Sequence, residues 1–214
     1  MKKTLILFVA VAMLAFITAC NKPQDVGVSQ LRTDILTATS GDYTASVYVE
    51  EREIPLVADG TACARTPVII VKITSLHEIS GTYSIFTTVG ERDYSAQPTQ
   101  RTANTLRAEI VVDSLPDKEL SLTLKGSDEV TFSVRSILPE GTANYQKALA
   151  TAKSALGTKI EYEDGKPKGE FFVRVLVENG NAFWYVGYVT DQGTRSLLIS
   201  ADGGSVIATH DSAA

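Results

Sequence analysis

Apolar and polar side chains alternate through much of the first two thirds of the chain. Tyr43, Ala45, Val47 and Val49 alternate with Thr44, Ser46, Tyr48 and Glu50, the period of a strand with one buried face. Residues 68–74 (VIIVKIT) are β-branched and largely apolar, as in a central strand. Residues 82–89 alternate again, and Leu106, Ala108, Ile110 and Val112 form a further face. Leu120, Leu122 and Leu124 are set to meet Val130, Phe132 and Val134 across a hairpin turn at residues 125–128. No helical period interrupts these strands. They predict an antiparallel β-sandwich over residues 31–137, immunoglobulin-like in architecture only, because the paired Cys around a Trp are missing.

The period then changes. Leu138-Pro139-Glu140-Gly141 breaks the strand pattern. Tyr145, Ala148, Leu149, Ala152 and Leu156 fall on one helical stripe, with Thr142 as the expected N-cap and Gly157 as the stop. A meander follows over residues 171–178, 182–190, 196–200 and 205–208, with a tight-turn signal at Asn179-Gly180. Residues 138–214 therefore read as a small α+β module, one helix plus an antiparallel meander. The whole chain reads as mainly β.

The leader has a different pattern again. Lys2 and Lys3 precede a continuous apolar run over residues 4–16, closed by Ile17-Thr18-Ala19-Cys20. This is the three-part layout of a secretory signal peptide, and the run is short for the roughly 30 Å hydrocarbon core. The closing tetrad resembles a bacterial lipobox. That resemblance implies cleavage after residue 19, a lipid on the Cys20 thiol, acylation of the new amine by a chain such as palmitate, and a place on the extracytoplasmic face of the cell membrane. Two or three acyl chains give firm anchoring, at about 0.8 kcal/mol per buried methylene. Residues 20–30 have the polar, Pro- and Gly-containing composition of a tether.

A second resemblance lies near the other end. A helix followed by strands that finish in residues 197–207 (LLISADGGSVI) is similar to PepSY-type domains. That resemblance implies a regulator or inhibitor of an extracellular peptidase.

Composition narrows the classes. The 214 residues are 44% hydrophobic and 21% charged, which excludes wholesale disorder, and two Cys exclude a disulfide-dense scaffold. Cleavage would leave 195 residues and remove Lys2 and Lys3, so the net charge would move from −5 to about −7. That balance argues against a nucleic-acid partner. With Cys20 lipidated, Cys63 has no partner in the chain, and no His or Lys beside it lowers its pKa, so it reads as packed and inert.

Candidate chemistry is sparse. No nucleophile motif, phosphate-binding loop or metal-ligand spacing occurs, and neither an enzyme activity nor a cofactor is expected. His77 and His210 read as solvated or capping residues. The acidic group Glu161, Glu163 and Asp164 lacks calcium-loop spacing. Glu50, Glu51, Arg52 and Glu53 read as an exposed strand end, and residues 90–104 as a long disordered loop. The aromatic run Phe183, Trp184, Tyr185 and Tyr188 stands out: alternation puts Trp184 and Tyr188 on one face, and these two are the candidate binding residues. The expected work is non-enzymatic binding of a protein, peptide or envelope polymer at the membrane surface.

Overall fold

The computed structural model describes residues 26–127 and 129–213. Among the described residues nine strands come first: β1 (Val28–Ser40), β2 (Tyr43–Arg52), β3 (Thr66–Ser75), β4 (Ser84–Val89), β5 (Arg92–Ala96), β6 (Thr99–Thr102), β7 (Thr105–Val111), β8 (Glu119–Lys125) and β9 (Glu129–Ser136). Helix α1 (Tyr145–Leu156) follows. Then come the two-stranded ribbon β10 (Tyr162–Glu163) and β11 (Lys166–Pro167), and the meander β12 (Glu170–Glu178), β13 (Asn181–Thr190), β14 (Gly193–Ser200) and β15 (Val206–Ala213). The chain is mainly β, with antiparallel sheets and one α-helix among the described residues.

One sheet path runs β15-β14-β13-β12-β1-β2-β3-β7-β6. Strands β9, β8, β4 and β5 branch from it through β9, which pairs with β1. Two cores result. Strands β2, β3 and β7 enclose the first together with β4, β8 and β9; it is built from residues such as Val47, Ile69, Ile73, Ile85, Leu122 and Phe132. The expected hairpin register holds, with Leu120 opposite Val134, Leu122 opposite Phe132 and Leu124 opposite Val130. Helix α1 covers the second core, burying Ala148, Leu149, Ala152 and Leu156 against Phe171, Val173, Trp184, Val186 and Tyr188.

Strand β1 belongs to both halves. Along one edge it pairs with β2 throughout. Its other edge is divided: the first half pairs in parallel with β12, from Val28 opposite Phe171 to Arg32 opposite Arg174, and the second half pairs with β9 at Leu36 and Thr37. Register shifts near Val28/Gln30 and Arg32/Asp34 mark where the strand bends to serve both. The strand therefore begins three residues inside the segment read as a tether, and Ser29 and Gln30 are buried. Likewise Val28, Leu31 and Ile35 of β1 pack in the helix-covered core, whereas Leu36 of the same strand packs in the first.

Where the halves meet, a buried polar seam crosses the sheet. Gln30 Nε2 donates to Glu50 Oε2 at 2.7 Å, and Arg32 Nε donates to Glu50 Oε1 at 2.6 Å. Arg174 Nε donates to Gln30 Oε1 at 2.6 Å. Arg32 also lies 4.3 Å from the Tyr48 ring centroid, and Arg174 lies 5.4 Å from that of Phe172. Glu50 is completely buried, and Arg52 and Glu53 nearly so. The expectation of an exposed strand end is thus corrected for these three. A strand end is exposed only if nothing lies beside it, and here β1 and β12 do.

Other expectations also change. Residues 90–104 carry β5 and β6 rather than a disordered loop. The helix N-cap is Asn144, whose side chain accepts from the Lys147 amide at 3.1 Å; Thr142 instead donates its hydroxyl to the Pro139 carbonyl at 2.8 Å. Strand β15 runs on to Ala213, so His210 lies within it, exposed. Gly203, at φ +69°, brings the β14–β15 turn against α1; a Cβ there would stand 3.2 Å from the Ala148 amide nitrogen, so any side chain would be strained and crowded. Thr151 Oγ1 donates to the Gly203 carbonyl at 2.7 Å and holds that contact.

Candidate functional site

The connection between β2 and β3, residues 53–65, leaves the half built on the first core and reaches the start of the meander. Its two ends of attachment are specific. The Glu53 amide donates to the Ser29 carbonyl at 3.1 Å. The Gly60 amide donates to Glu170 Oε1 at 2.9 Å, and Ser29 Oγ donates to the other oxygen of the same carboxylate. Gly60 has φ +84°, and a Cβ there would lie 3.3 Å from the Thr190 Cα, so the connection crosses β13 as closely as backbone allows. Glu170 is fully buried, and burial, the dominant cause, pushes its carboxyl above the usual range against the two hydrogen bonds it accepts.

Beyond Gly60 a cleft of about 660 Å³ opens. Its walls come from the β2–β3 connection, the segment after α1, the β13–β14 turn and the end of β15. Lys159, Lys168 and Arg195 bring positive charge to it; Asp59, Glu161, Asp191 and Asp211 bring negative. The rim pairs are exposed and exchangeable: Arg195 to Asp211 at 2.8 Å, Lys168 to Glu161 at 3.8 Å, Lys159 to Asp211 at 4.0 Å. Exposed pairs of this kind contribute little to stability, about 0–1 kcal/mol each, so a charged ligand can replace one partner cheaply.

The floor of the cleft includes Tyr188. Its ring packs on Phe171 with centroids 4.9 Å apart, and the residue is 1% exposed. The hydroxyl is buried against the Glu161 backbone, without a hydrogen bond of ordinary geometry. Burial, chiefly, raises its pKa, so it remains a neutral donor. Trp184, the other candidate, is 2% exposed beneath α1, and its Nε1 donates to the Ala143 carbonyl at 3.2 Å. The two face the same core, as alternation requires, but that face is closed by the helix. Trp184 therefore presents nothing to a partner, and Tyr188 borders the cleft with its hydroxyl buried.

Cys63 lines a neighbouring cavity of about 500 Å³ together with Val26, Gly27, Pro167 and Lys168. It is exposed, which corrects the expectation of a packed thiol. The Glu53 carboxylate, chiefly, holds the thiol above its ordinary pKa, so its thiolate is disfavoured at neutral pH. Cys20 lies outside the described residues. Glu163 ends β10 and Asp164 opens the turn of the β10–β11 ribbon, both exposed, while Glu161 joins the cleft rim. His77 is exposed, with Nε2 3.4 Å from Asp42. Among the described residues no group of three or more potential ligands is placed to hold a metal, and no helix is long and apolar enough to cross a membrane.

The β2–β3 connection gave no signal of its own in the sequence. The pair that fixes it, Gly60 and Glu170, is separated by 110 positions. No family model matches the chain, and neither a curated protein nor a solved structure matches it.

Proposed function

We propose that this chain is an exported lipoprotein, anchored to the extracytoplasmic face of the cell membrane through Cys20, that works by binding and not by catalysis. The observation that carries this reading is the leader series: Lys2-Lys3, the apolar run of residues 4–16, then Ile17-Thr18-Ala19-Cys20. The mixed-charge cleft supports it by offering a folded body something to bind with. Its partner is a protein, a peptide or an envelope polymer, and nucleic acid is disfavoured by the acidic balance. Cys20→Ser expressed in a bacterial host tests the anchor. The variant is expected to leave the membrane fraction, and a variant that partitions as the wild type does removes the thioether anchor.

The second reading, regulation of an extracellular peptidase, is favoured by one observation. Helix α1 lies across a four-stranded antiparallel meander, the layout that the PepSY resemblance implies. Recovery of a peptidase by pull-down from envelope extract is its expected result; recovery of envelope proteins without one sets it aside.

A further inference from the structure

Helix α1 and the layer of β4, β8 and β9 both lie on the sheet face that carries Val47, Val173 and Trp184. On the opposite face a row of register partners crosses the strands: Leu198 of β14, Tyr185 of β13, Arg174 of β12, Arg32 of β1 and Glu50 of β2. Leu198, Tyr185, Arg174 and Arg32 are only partly buried. Two guanidinium groups thus stand side by side on neighbouring strands. Rings fix them: Arg32 lies 4.3 Å from the Tyr48 centroid, and Arg174 lies 5.4 Å and 5.7 Å from those of Phe172 and Tyr185. The Tyr185 ring is itself held by its hydroxyl, 2.9 Å from Ser196 Oγ.

The charges in this row do not balance. Glu50 gives one carboxylate oxygen to Nε and Nη2 of Arg32, each at 2.6 Å, and the other to Gln30 Nε2 at 2.7 Å. Arg174 reaches only the far side of Gln30, whose Oε1 accepts from its Nε at 2.6 Å. Among the described residues Arg174 is in no ion pair, and its two Nη groups are in no hydrogen bond, yet neither is shut off from solvent. Arg52, two positions beyond Glu50, has Glu109 as its own partner. The carboxylates on the same face of β12, Glu170 and Glu178, are each four positions from Arg174, about 13 Å along the strand. Burial, first, and the Arg32 charge, second, lower the Arg174 pKa, but a guanidinium keeps its proton near neutrality. A partly buried cation beside a like charge is costly without a counter-ion. A neutral ligand would leave that excess charge in place, and an apolar one would cover it. A planar fork with two free Nη groups matches the paired oxygens of an oxyanion. We propose that Arg174 is an oxyanion site: its Nη groups hold a phosphate or carboxylate group of the ligand, Arg32 adds charge from the next strand, and Tyr185 forms the wall beside it.

The inference rests on the reading of this chain as a binding protein and names the group that it recognises. The test takes the full-length chain, isotope-labelled at its arginines, in detergent micelles. Sodium phosphate and sodium acetate are titrated in turn against sodium chloride of equal ionic strength, and the arginine Nε signals are followed by NMR. The expected result is a saturable shift of the Arg174 signal with phosphate, acetate or both, and none at Arg101, an exposed arginine of β6. The tighter anion tells a phosphoryl-bearing ligand from a carboxylate-bearing one. Arg174→Gln is expected to bind that anion at least about tenfold more weakly. Arg174→Lys keeps the charge without the fork and is expected to lose affinity several-fold, and Arg101→Gln to lose none. A shift that chloride reproduces, or one that Arg101 shares, overturns the proposal, as does full affinity in Arg174→Gln; the wild-type titration holds whether or not that variant folds. Pull-down from envelope extract is read separately: a partner recovered while neither anion moves Arg174 removes this site and keeps the binding reading.

Discussion

The two cores cover one face of the sheet by different means. Over β2, β3 and β7 the cover is a second layer of strands, and the interior is almost wholly branched aliphatic, with Phe132 and Tyr83 as its buried aromatics. Over β12 to β14 the cover is α1, and the interior pairs three large aromatics, Phe171, Trp184 and Tyr188, with Ala148 and Ala152. Small side chains on the helix let it approach, and large ones on the strands fill the curved gap that a straight helix leaves above a twisted sheet. A helix of twelve residues is also narrower than a sheet layer. The strand ends beyond it stay open, and the cleft lies there. The cleft beyond α1 is about 660 Å³, and a second one of about 580 Å³ borders the first core at Val89, Leu120 and Val134.

The sharpest way to break this comparison is to hollow each core in turn. Trp184→Ala is expected to cost about 3–5 kcal/mol, and Leu122→Ala about 2–5 kcal/mol. Because β1 is shared, both variants should lower the midpoint of a single calorimetric transition. Two separate transitions, each moved by one variant only, would show that the cores unfold independently. Next in size is the seam. Glu50→Ala leaves Arg32 and Gln30 without their shared acceptor and is expected to cost about 3 kcal/mol by denaturant titration. A cost below about 1 kcal/mol would mean that the seam does not couple the halves.

The smallest effect is a pH dependence at the attachment of the β2–β3 connection. Burial raises the Glu170 carboxyl, so the folded chain keeps that proton to higher pH than the unfolded chain does. In acid, below the unfolded value, the group is protonated in both states and adds no slope. As pH rises through the raised folded value, the buried carboxyl must ionise and its contribution to stability falls. Glu170→Gln removes that term. The wild-type midpoint relative to the variant should therefore decline as pH rises from the ordinary carboxylate value, about 4.3, towards neutrality. A difference that stays flat across this range would mean that the carboxyl does not titrate differently in the folded chain.

Much of this architecture was legible where apolar residues set the period. The faces of β2, β3, β7, β8 and β9, the stripe of α1 and the turn at Asn179-Gly180 all followed from spacing, and Asn179 and Gly180 do adopt positive φ. Strands β5 and β6 did not, because their side chains are mostly exposed and polar, and ladder hydrogen bonds leave no mark in composition. The polar half of β15 was missed for the same reason. The burial of Glu50 and Glu53 was hidden differently: period two groups Tyr48, Glu50 and Arg52 on one face, but what covers that face is supplied by β1 and β12. Of the candidate site, the aromatic alternation was readable and its direction was not. Which face α1 covers depends on the pairing of β12 with β1, a contact between distant parts of the chain.

That parallel pairing bears on how the molecule is assembled. The contacts joining β1 to the meander link residues about 140 positions apart, Ser29 with Glu170 and Gln30 with Arg174. Loop closure over such a span is slow relative to the local hairpin of β1 with β2. A growing chain can thus form its first hairpin early, yet one edge of β1 must wait until nearly the last strands have emerged. In that interval, unpaired amides and the apolar side chains Val28 and Leu31 lie open. The first strand of the fold is among the last to be finished, which makes its edge the place where a holding chaperone would act and where a second copy could intrude.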